Sequence, residues 1–556
     1  MEVCMNEFVQ YLNGLHNYNA QNQNAYGERN VESPFYAKTM VPIEICDYIV
    51  KSIEENSPHI ILLTGHAGDG KTSIMFQVLD RLAVHASFSE PIQDVKTDSG
   101  KEICCIKDFS ELSDGKKVKI LSEVLELPAK GKFVFMVANT GPLINTFGKI
   151  MTDHDKNEVE MSLIEAMDSN DGKIRDLLGY KLMVINIATI ENTGFVRKYL
   201  EMILAPELWK PCECCAKKEY CHIFLNRNLI ESNKERVSEF IEDYYIWQSE
   251  YGTRLTIRSM TEHIAYMMTG GDDCGNVIPV MAHEKLFSNL FFGFEGVISN
   301  PLADNVLAVR LAKESGLYRR RLRTDEELLI RRNYQHLFGK SLNEIINKVD
   351  TGTKLRKEFD NELRRMYLFM NISSDDQHKK DLEDIFSKQF LPFIMVRNHG
   401  QKPSKSQKNL VIDALRMIYL GTVISNNHTI PITMGTEGGI TQSVQLIAGE
   451  LYEGDIELAA NRDSALNNGK NNLVLKIKKK DVCTLTLPMI DHFEELKNGV
   501  ISTNMDPQLS YGIENLKSRL LELADVDEDK FDFLVMDNKG FTPRTIIIED
   551  GMLTIQ

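Results

Sequence analysis

The sequence predicts an α/β core, a parallel sheet flanked by helices, followed by a helical middle region and a C-terminal α+β domain. Three observations predict it. Strand-like, mainly apolar runs at 60–63, 102–108, 132–138 and 182–188 alternate with stretches of helical periodicity, the pattern of strands buried on both faces between helices. Residues 276–425 carry mainly helical spacing. After about residue 426 the texture changes to short β-like runs at Leu473–Ile477, Cys483–Leu487, Phe531–Met536 and Thr545–Ile548, interrupted by one helix, Gly512–Leu523. At 556 residues the chain exceeds what one compact core holds. The expected organisation is a helical lead-in (1–58), an α/β core (59–210), a cysteine knuckle (211–225), a helical lid (226–275), a helical domain (276–425) and the C-terminal domain (426–556).

In the lead-in, the Asn-rich segment Leu12–Asn24 reads as loop. The first core strand, Ile60–Leu63, runs directly into Gly65-His66-Ala67-Gly68-Asp69-Gly70-Lys71-Thr72. Ile74, Met75, Val78, Leu79 and Leu82 then recur at helical spacing. Strand, G-x-x-x-x-G-K-[ST], helix is the context of a phosphate-binding loop. Glycines let the backbone turn tightly and aim N–H groups at phosphate oxygens, and the next helix presents its positive dipole end to the same anion. His66, Ala67, Asp69 and Ser73 complete the segment expected around the nucleotide. Lys71 has the reach for the β- and γ-phosphates, and the Thr72 hydroxyl is placed to ligate Mg²⁺. The expected ligand is therefore Mg-ATP, held in a P-loop nucleoside triphosphatase sheet.

The second strand ends in Lys107-Asp108. Asp108 is the candidate carboxylate for the Mg²⁺ site, with a helix-capping Asp as the alternative; Glu111 is the nearest candidate general base. Cys104 and Cys105 read as buried strand residues. The third strand ends at Asn139, which is either a γ-phosphate sensor or a turn-forming Asn. A helix opening near Arg254–Met260 offers Arg258, and second Arg254, as the arginine returned to the nucleotide, against a plain surface arginine.

Cys212, Cys214, Cys215 and Cys221 fall within ten residues. Cys212 and Cys215 have C-x-x-C spacing, and Cys221 with His222 would complete a Cys₃His or Cys₄ zinc site. No second C-x-x-C follows, adjacent Cys221 and His222 are poor joint ligands, and Cys274 is a distant fourth candidate. Pro211 and Trp209 suggest that the chain leaves a helix here. A redox pair lacks a thioredoxin-like context.

Phe287, Leu290, Phe291 and Phe294 form a stripe best read as core packing. Arg319, Arg320, Arg321, Arg323, Arg331 and Arg332 are the densest basic stretch, and acidic neighbours make a solvated face the better reading than a phosphate strip. Lys478–Lys480 is a lesser case. Asp525, Asp527 and Asp529 imitate a calcium loop, but Lys530 and Met536 occupy its required Gly and Glu positions.

Bulk composition excludes several classes. With 64 basic and 80 acidic residues the net charge is −16, so any DNA contact comes from a local patch or a partner. The acidic N-terminus, the lack of a membrane-length apolar run and ten cysteines without a signal sequence together predict a cytoplasmic protein with no membrane association.

The Gly65–Thr72 loop, the Lys107-Asp108-Phe109-Ser110-Glu111 run, Ala138–Phe147 and the Cys212–His222 knuckle followed by Asn226 together resemble DptF. That family is the P-loop ATPase component of bacterial phosphorothioation-dependent DNA restriction systems. The resemblance covers mostly residues 55–230. It implies an ATPase acting with other restriction subunits, including a larger helicase-like ATPase, against DNA lacking the host's sulfur modification. DNA would be met through that complex, and a homo-oligomer is compatible with this picture. Two other functions compete: a nucleotide-controlled signalling switch, and a non-hydrolysing ATP-binding scaffold, which the lack of a Glu directly after Asp108 keeps in view.

Overall fold

The computed structural model describes residues 5–18, 33–84, 90–152, 154–350, 352, 354–421, 428–433, 444–462, 466, 470–500, 505–524, 530–537, 540–549 and 552–555. Residues 19–24 of the Asn-rich segment and the acidic run 525–529 lie outside them. The chain divides into two compact units. The first comprises residues 1–249, 254–381 and 464–467; the second comprises 250–253, 382–463 and 468–556.

The first unit opens with α1 (Glu7–Gly14), α2 (Tyr36–Thr39) and α3 (Ile45–Glu55), so the helix α1 reaches into the segment expected to be loop. The core follows as β1 (Ile60–Thr64), α4 (Lys71–Arg81), β2 (Ile92–Lys96), β3 (Glu102–Ile106), α5 (Asp114–Leu125), β4 (Phe133–Val137), α6 (Thr140–Ile150), α7 (Lys156–Ser169), β5 (Ile174–Leu177) and β6 (Tyr180–Asn186). The six strands form one sheet in the order β2-β3-β4-β1-β6-β5. β3, β4, β1 and β6 are parallel, with Ile60 opposite both Val134 and Leu182.

The sheet is mixed rather than wholly parallel. β2 pairs antiparallel with β3, and β5 antiparallel with β6. Both edge strands are half-exposed and polar, so they lack the apolar run that marks a buried strand. Their hairpins rest on turn residues: Leu178 and Gly179 both take positive φ between β5 and β6, as a two-residue turn compatible with strand twist requires.

Alternation along the inner strands feeds two cores. Ile61, Leu63, Ile103, Cys105, Phe135 and Met183 face α3 and α4. Ile60, Leu62, Cys104, Ile106, Val134 and Leu182 face α5, α6 and α7. Cys104 and Cys105 are therefore packed on opposite faces, and burial pushes the Cys104 thiol up to about 12. Since both faces are covered, β1 and β4 are buried at every position.

Beyond the sheet come α8 (Phe195–Ile203), α9 (Pro206–Glu213), α10 (His222–Ser232), α11 (Lys234–Glu250) and α12 (Ile257–Thr269). Pro211 sits inside the last turn of α9 rather than after the helix. The aromatic stripe begins in the short helix Phe287–Leu290 and runs past its end to Phe291 and Phe294, and all four members are buried; Phe291 stacks on His263 at 4.2 Å. The basic stretch is used locally. Arg319 lies over Tyr318, Arg320 over Trp247, Arg331 pairs with Glu326 and Glu327, and Arg332 with Asp350.

The second unit holds a five-stranded and a three-stranded antiparallel sheet. Among the described residues two helices, not one, interrupt the strands of its C-terminal part: Leu487–Lys497 as well as Pro507–Leu523. Lys478 and Lys479, both at positive φ, form the turn between Asn471–Ile477 and Lys480–Thr484, which explains that lysine cluster. Among the described residues no helix is long and apolar enough to cross a membrane.

Candidate phosphate-binding site

The parallel strands β1, β3, β4 and β6 all end on the same edge of the sheet. The chain passes from β1 to β3 on one side and returns to β6 on the other, so this edge has the topology at which open α/β sheets bind ligands. Onto it fall the Gly65–Thr72 loop after β1, Asp108 after β3, Asn139 after β4, and Ile187–Ile190 after β6.

The loop is shaped by three glycines at positive φ: Gly65 (146°), Gly68 (90°) and Gly70 (79°). Two of them are also sterically closed. A Cβ on Gly65 would lie 3.0 Å from Asp69 Oδ2, and one on Gly68 would lie 3.0 Å from Thr256 Oγ1 and 3.2 Å from Arg258 Cβ. Gly70 starts α4, which has no side-chain cap, so the first-turn N–H groups face the loop.

Lys71 is buried, with 7% of its surface exposed. Its Nζ donates to the Gly65 carbonyl at 3.1 Å and the His66 carbonyl at 2.6 Å. Burial lowers the Lys71 pKa; Asp69 and Asp108 act against that, and Arg258 acts with it. Asp108 and Arg258 thus share an electrostatic neighbourhood with the loop lysine. Thr72 is half-buried beside it, and His66 and Ala67 are exposed at the loop crown. Ser73 is already bonded, its hydroxyl 2.8 Å from Tyr36 OH.

Asp69 holds the loop from within. Its carboxylate is fully buried; Oδ2 accepts from the His66 N–H at 2.8 Å and Oδ1 from Arg254 Nη1 at 2.8 Å. Arg254 also donates to the carbonyls of Ile187 and Ile190 after β6. Arg254 precedes α12 and locks loop to sheet, whereas Arg258, in the first turn of α12, is exposed and donates its N–H to Gly68 O at 3.1 Å. Thr256 caps α12 by accepting from Ser259 N–H, so one residue both starts this helix and packs on the loop.

Asp108 takes a left-handed conformation (φ 54°) and its side chain makes no cap bond to the following Phe109–Glu111 turn. Capping therefore does not account for it. Lys107 Nζ stands 3.9 Å from its Oδ2. Ser110 Oγ accepts from Asn139 N–H at 2.7 Å, tying the end of β3 to that of β4. Asn139 occupies the N-cap position of α6, yet its side chain makes no cap bond. Glu111 is exposed at the end of the short turn.

The cysteines form a second group, away from this edge in sequence. Cys212, Cys215 and Cys221 line one small cavity together with Cys274; Cys214 is exposed and is not part of that lining. His222 is directed elsewhere: its Nε2 lies 3.0 Å from Thr269 O and 3.4 Å from Asp272 Oδ2, and burial lowers its pKa. No group of three or more His, Cys, Asp or Glu among the described residues is arranged to hold a metal ion as it stands.

No protein family, curated protein or solved structure matches this chain. The residues that sequence reading passed over are Thr256, Ser110 and Tyr36, along with the Asp69–Arg254 pairing. Each acts through a contact distant in sequence, so no local signal marked them.

Proposed function

We propose that the chain is a Mg-ATP-dependent P-loop ATPase with its site on the carboxyl edge of the six-stranded sheet. The observation that carries the reading is the Gly65–Thr72 loop itself. Its three positive-φ glycines surround a buried lysine, at the uncapped start of a helix, beside a carboxylate on the next parallel strand but one. Backbone N–H groups in such a loop bind phosphate oxygens.

The protein residues then have separate tasks. Lys71 exchanges its two carbonyl partners for phosphate oxygens and places a positive charge where negative charge grows during phosphoryl transfer. Thr72 and Asp108 supply the hard oxygens that Mg²⁺ prefers. A bound Mg²⁺ neutralises charge on the transferring group. Asn139 and Arg258 sit where the γ-phosphate would change their surroundings, and Arg254 positions the loop through Asp69. Glu111 is the available carboxylate for orienting water.

In the wider reading, ATP turnover drives or gates a DNA restriction complex of the phosphorothioation-dependent kind, with cleavage assigned to partner subunits. That part rests on the resemblance of residues 55–230. The test is Mg-ATP hydrolysis by the purified chain with and without duplex DNA, alongside Asp108→Asn. Turnover that DNA stimulates and Asp108→Asn abolishes supports both levels. Turnover indifferent to DNA, with or without the candidate partners, refutes the restriction reading and leaves the ATPase.

A further inference from the structure

We infer that Cys212, Cys215, Cys221 and Cys274 form a tetrathiolate zinc site that clamps the far end of α12. This inference does not depend on what occupies the phosphate loop.

The four sulfurs come from three separated stretches. Cys212 lies in the last turn of α9 and Cys215 just after it, Cys221 precedes α10, and Cys274 follows α12. Unrelated thiols scattered in a chain have no reason to converge, yet all four line the same small cavity.

Two of the sulfurs also receive an N–H group. Asn6 Nδ2 donates to Cys212 Sγ at 3.2 Å, and the Lys217 N–H to Cys215 Sγ at 3.5 Å. Such donors are weakly used by neutral thiols but favour thiolates strongly, and they orient metal ligands from the second layer. Asn6 itself is buried. Cys221 immediately precedes the first turn of α10, whose start has no side-chain cap.

Charge points the same way. Lys217 and Lys218 line the cavity, and Lys217 Nζ is held over it by the carbonyls of Cys274 and Gly275. Four thiolates around a divalent ion sum to a dianion, which two ammonium groups and a helix N-terminus offset. Four sulfurs select a soft, tetrahedral ion, and zinc is the redox-inert member of that class. Binding exchanges four thiol protons, released to solvent, for the metal. The cysteines are free thiols, and closing the site requires their side chains to move toward the cavity centre, since as they stand they are not arranged around an ion. Cys274 takes the place of Cys214 among the clustered cysteines, and His222 is not among the residues that line the cavity. Closing the site would fix the loop after α12, the helix whose other end packs on the phosphate loop.

The experiment is elemental analysis of the full chain purified without chelators from zinc-supplemented medium. About one zinc per chain is expected for wild type and Cys214→Ser, falling below about a tenth for Cys215→Ser and Cys274→Ser. Should the latter variants fail to fold, Co²⁺ loading of wild type and Cys214→Ser decides: both should show the same thiolate-to-metal charge transfer and tetrahedral visible bands. Zinc-free wild-type protein, an iron–sulfur chromophore, or loss of metal in Cys214→Ser but not Cys274→Ser overturns the inference.

Discussion

Replacing Arg254 with Ala should weaken nucleotide binding although Arg254 need not touch the nucleotide. The substitution removes one ion pair and two hydrogen bonds to the carbonyls of Ile187 and Ile190 after β6, and it leaves the Asp69 carboxylate, which is fully buried, with only the His66 N–H. Breaking one side of a buried pair typically costs about 3–5 kcal/mol. Arg254 keeps 21% of its side chain exposed, so the low end, about 3 kcal/mol, applies here. The loop escapes that penalty by rearranging, so the binding-competent loop becomes a minor state. Apparent affinity falls by the competent fraction, on the order of 100-fold for 3 kcal/mol. Isothermal titration with a non-hydrolysable ATP analogue and Mg²⁺ measures this directly. The double variant Asp69→Asn/Arg254→Ala removes the stranded charge and should bind more tightly than Arg254→Ala alone. Affinity within about threefold of wild type in Arg254→Ala, or strict additivity in the cycle, would refute the positioning role.

Two further perturbations probe the same edge. Gly68→Ala forces a non-glycine residue to φ 90° and places a Cβ 3.0 Å from Thr256 Oγ1; that backbone alone costs about 1–3 kcal/mol. Analogue affinity should drop at least about tenfold while the far-ultraviolet spectrum stays unchanged, and wild-type affinity would contradict the closed-cradle description. Glu262, one turn after Arg258, is pushed up to about 7 from 4.5 by burial, with Arg258 opposing. The folded protein keeps this proton between pH 4.5 and 7 where the unfolded chain releases it. Stability from this group therefore falls as pH rises through that window, by on the order of 3 kcal/mol. Glu262→Gln should melt higher than wild type at pH 8 and similarly at pH 4; parallel melting-temperature curves across pH would show that Glu262 is not so shifted.

What the sequence made legible follows from where the information sits. β1, β4 and β6 were readable because Ile60–Leu63, Phe133–Val137 and Leu182–Ile185 are covered on both faces and are unbroken apolar runs. β2 and β5 were not, because edge strands with polar residues such as Asp94 and Asp176 are specified by turns and pairing rather than by hydrophobicity. The helix Leu487–Lys497 was hidden behind the β-like run ending at Leu487, and Pro488 in its first turn is a helix-start signal that the run obscured. At the site, the glycine loop is a local motif and was evident. The Asp69–Arg254 bond spans 185 residues, and Cys274 likewise joins the other cysteines only through the fold. Contacts of that kind leave no periodicity to read. Asp108 is intermediate: its position after a buried strand was plain, but only its left-handed backbone and uncapping side chain set aside the capping explanation.

The most direct test of the central claim is Mg-ATP turnover by the full chain, wild type against Lys71→Ala. Lys71 is the one buried cation bonded inside the loop through the carbonyls of Gly65 and His66, and its removal takes charge stabilisation from the transferring phosphoryl group. The account predicts measurable hydrolysis in wild type and a loss of at least about a thousandfold in the variant. Full activity in Lys71→Ala would contradict it.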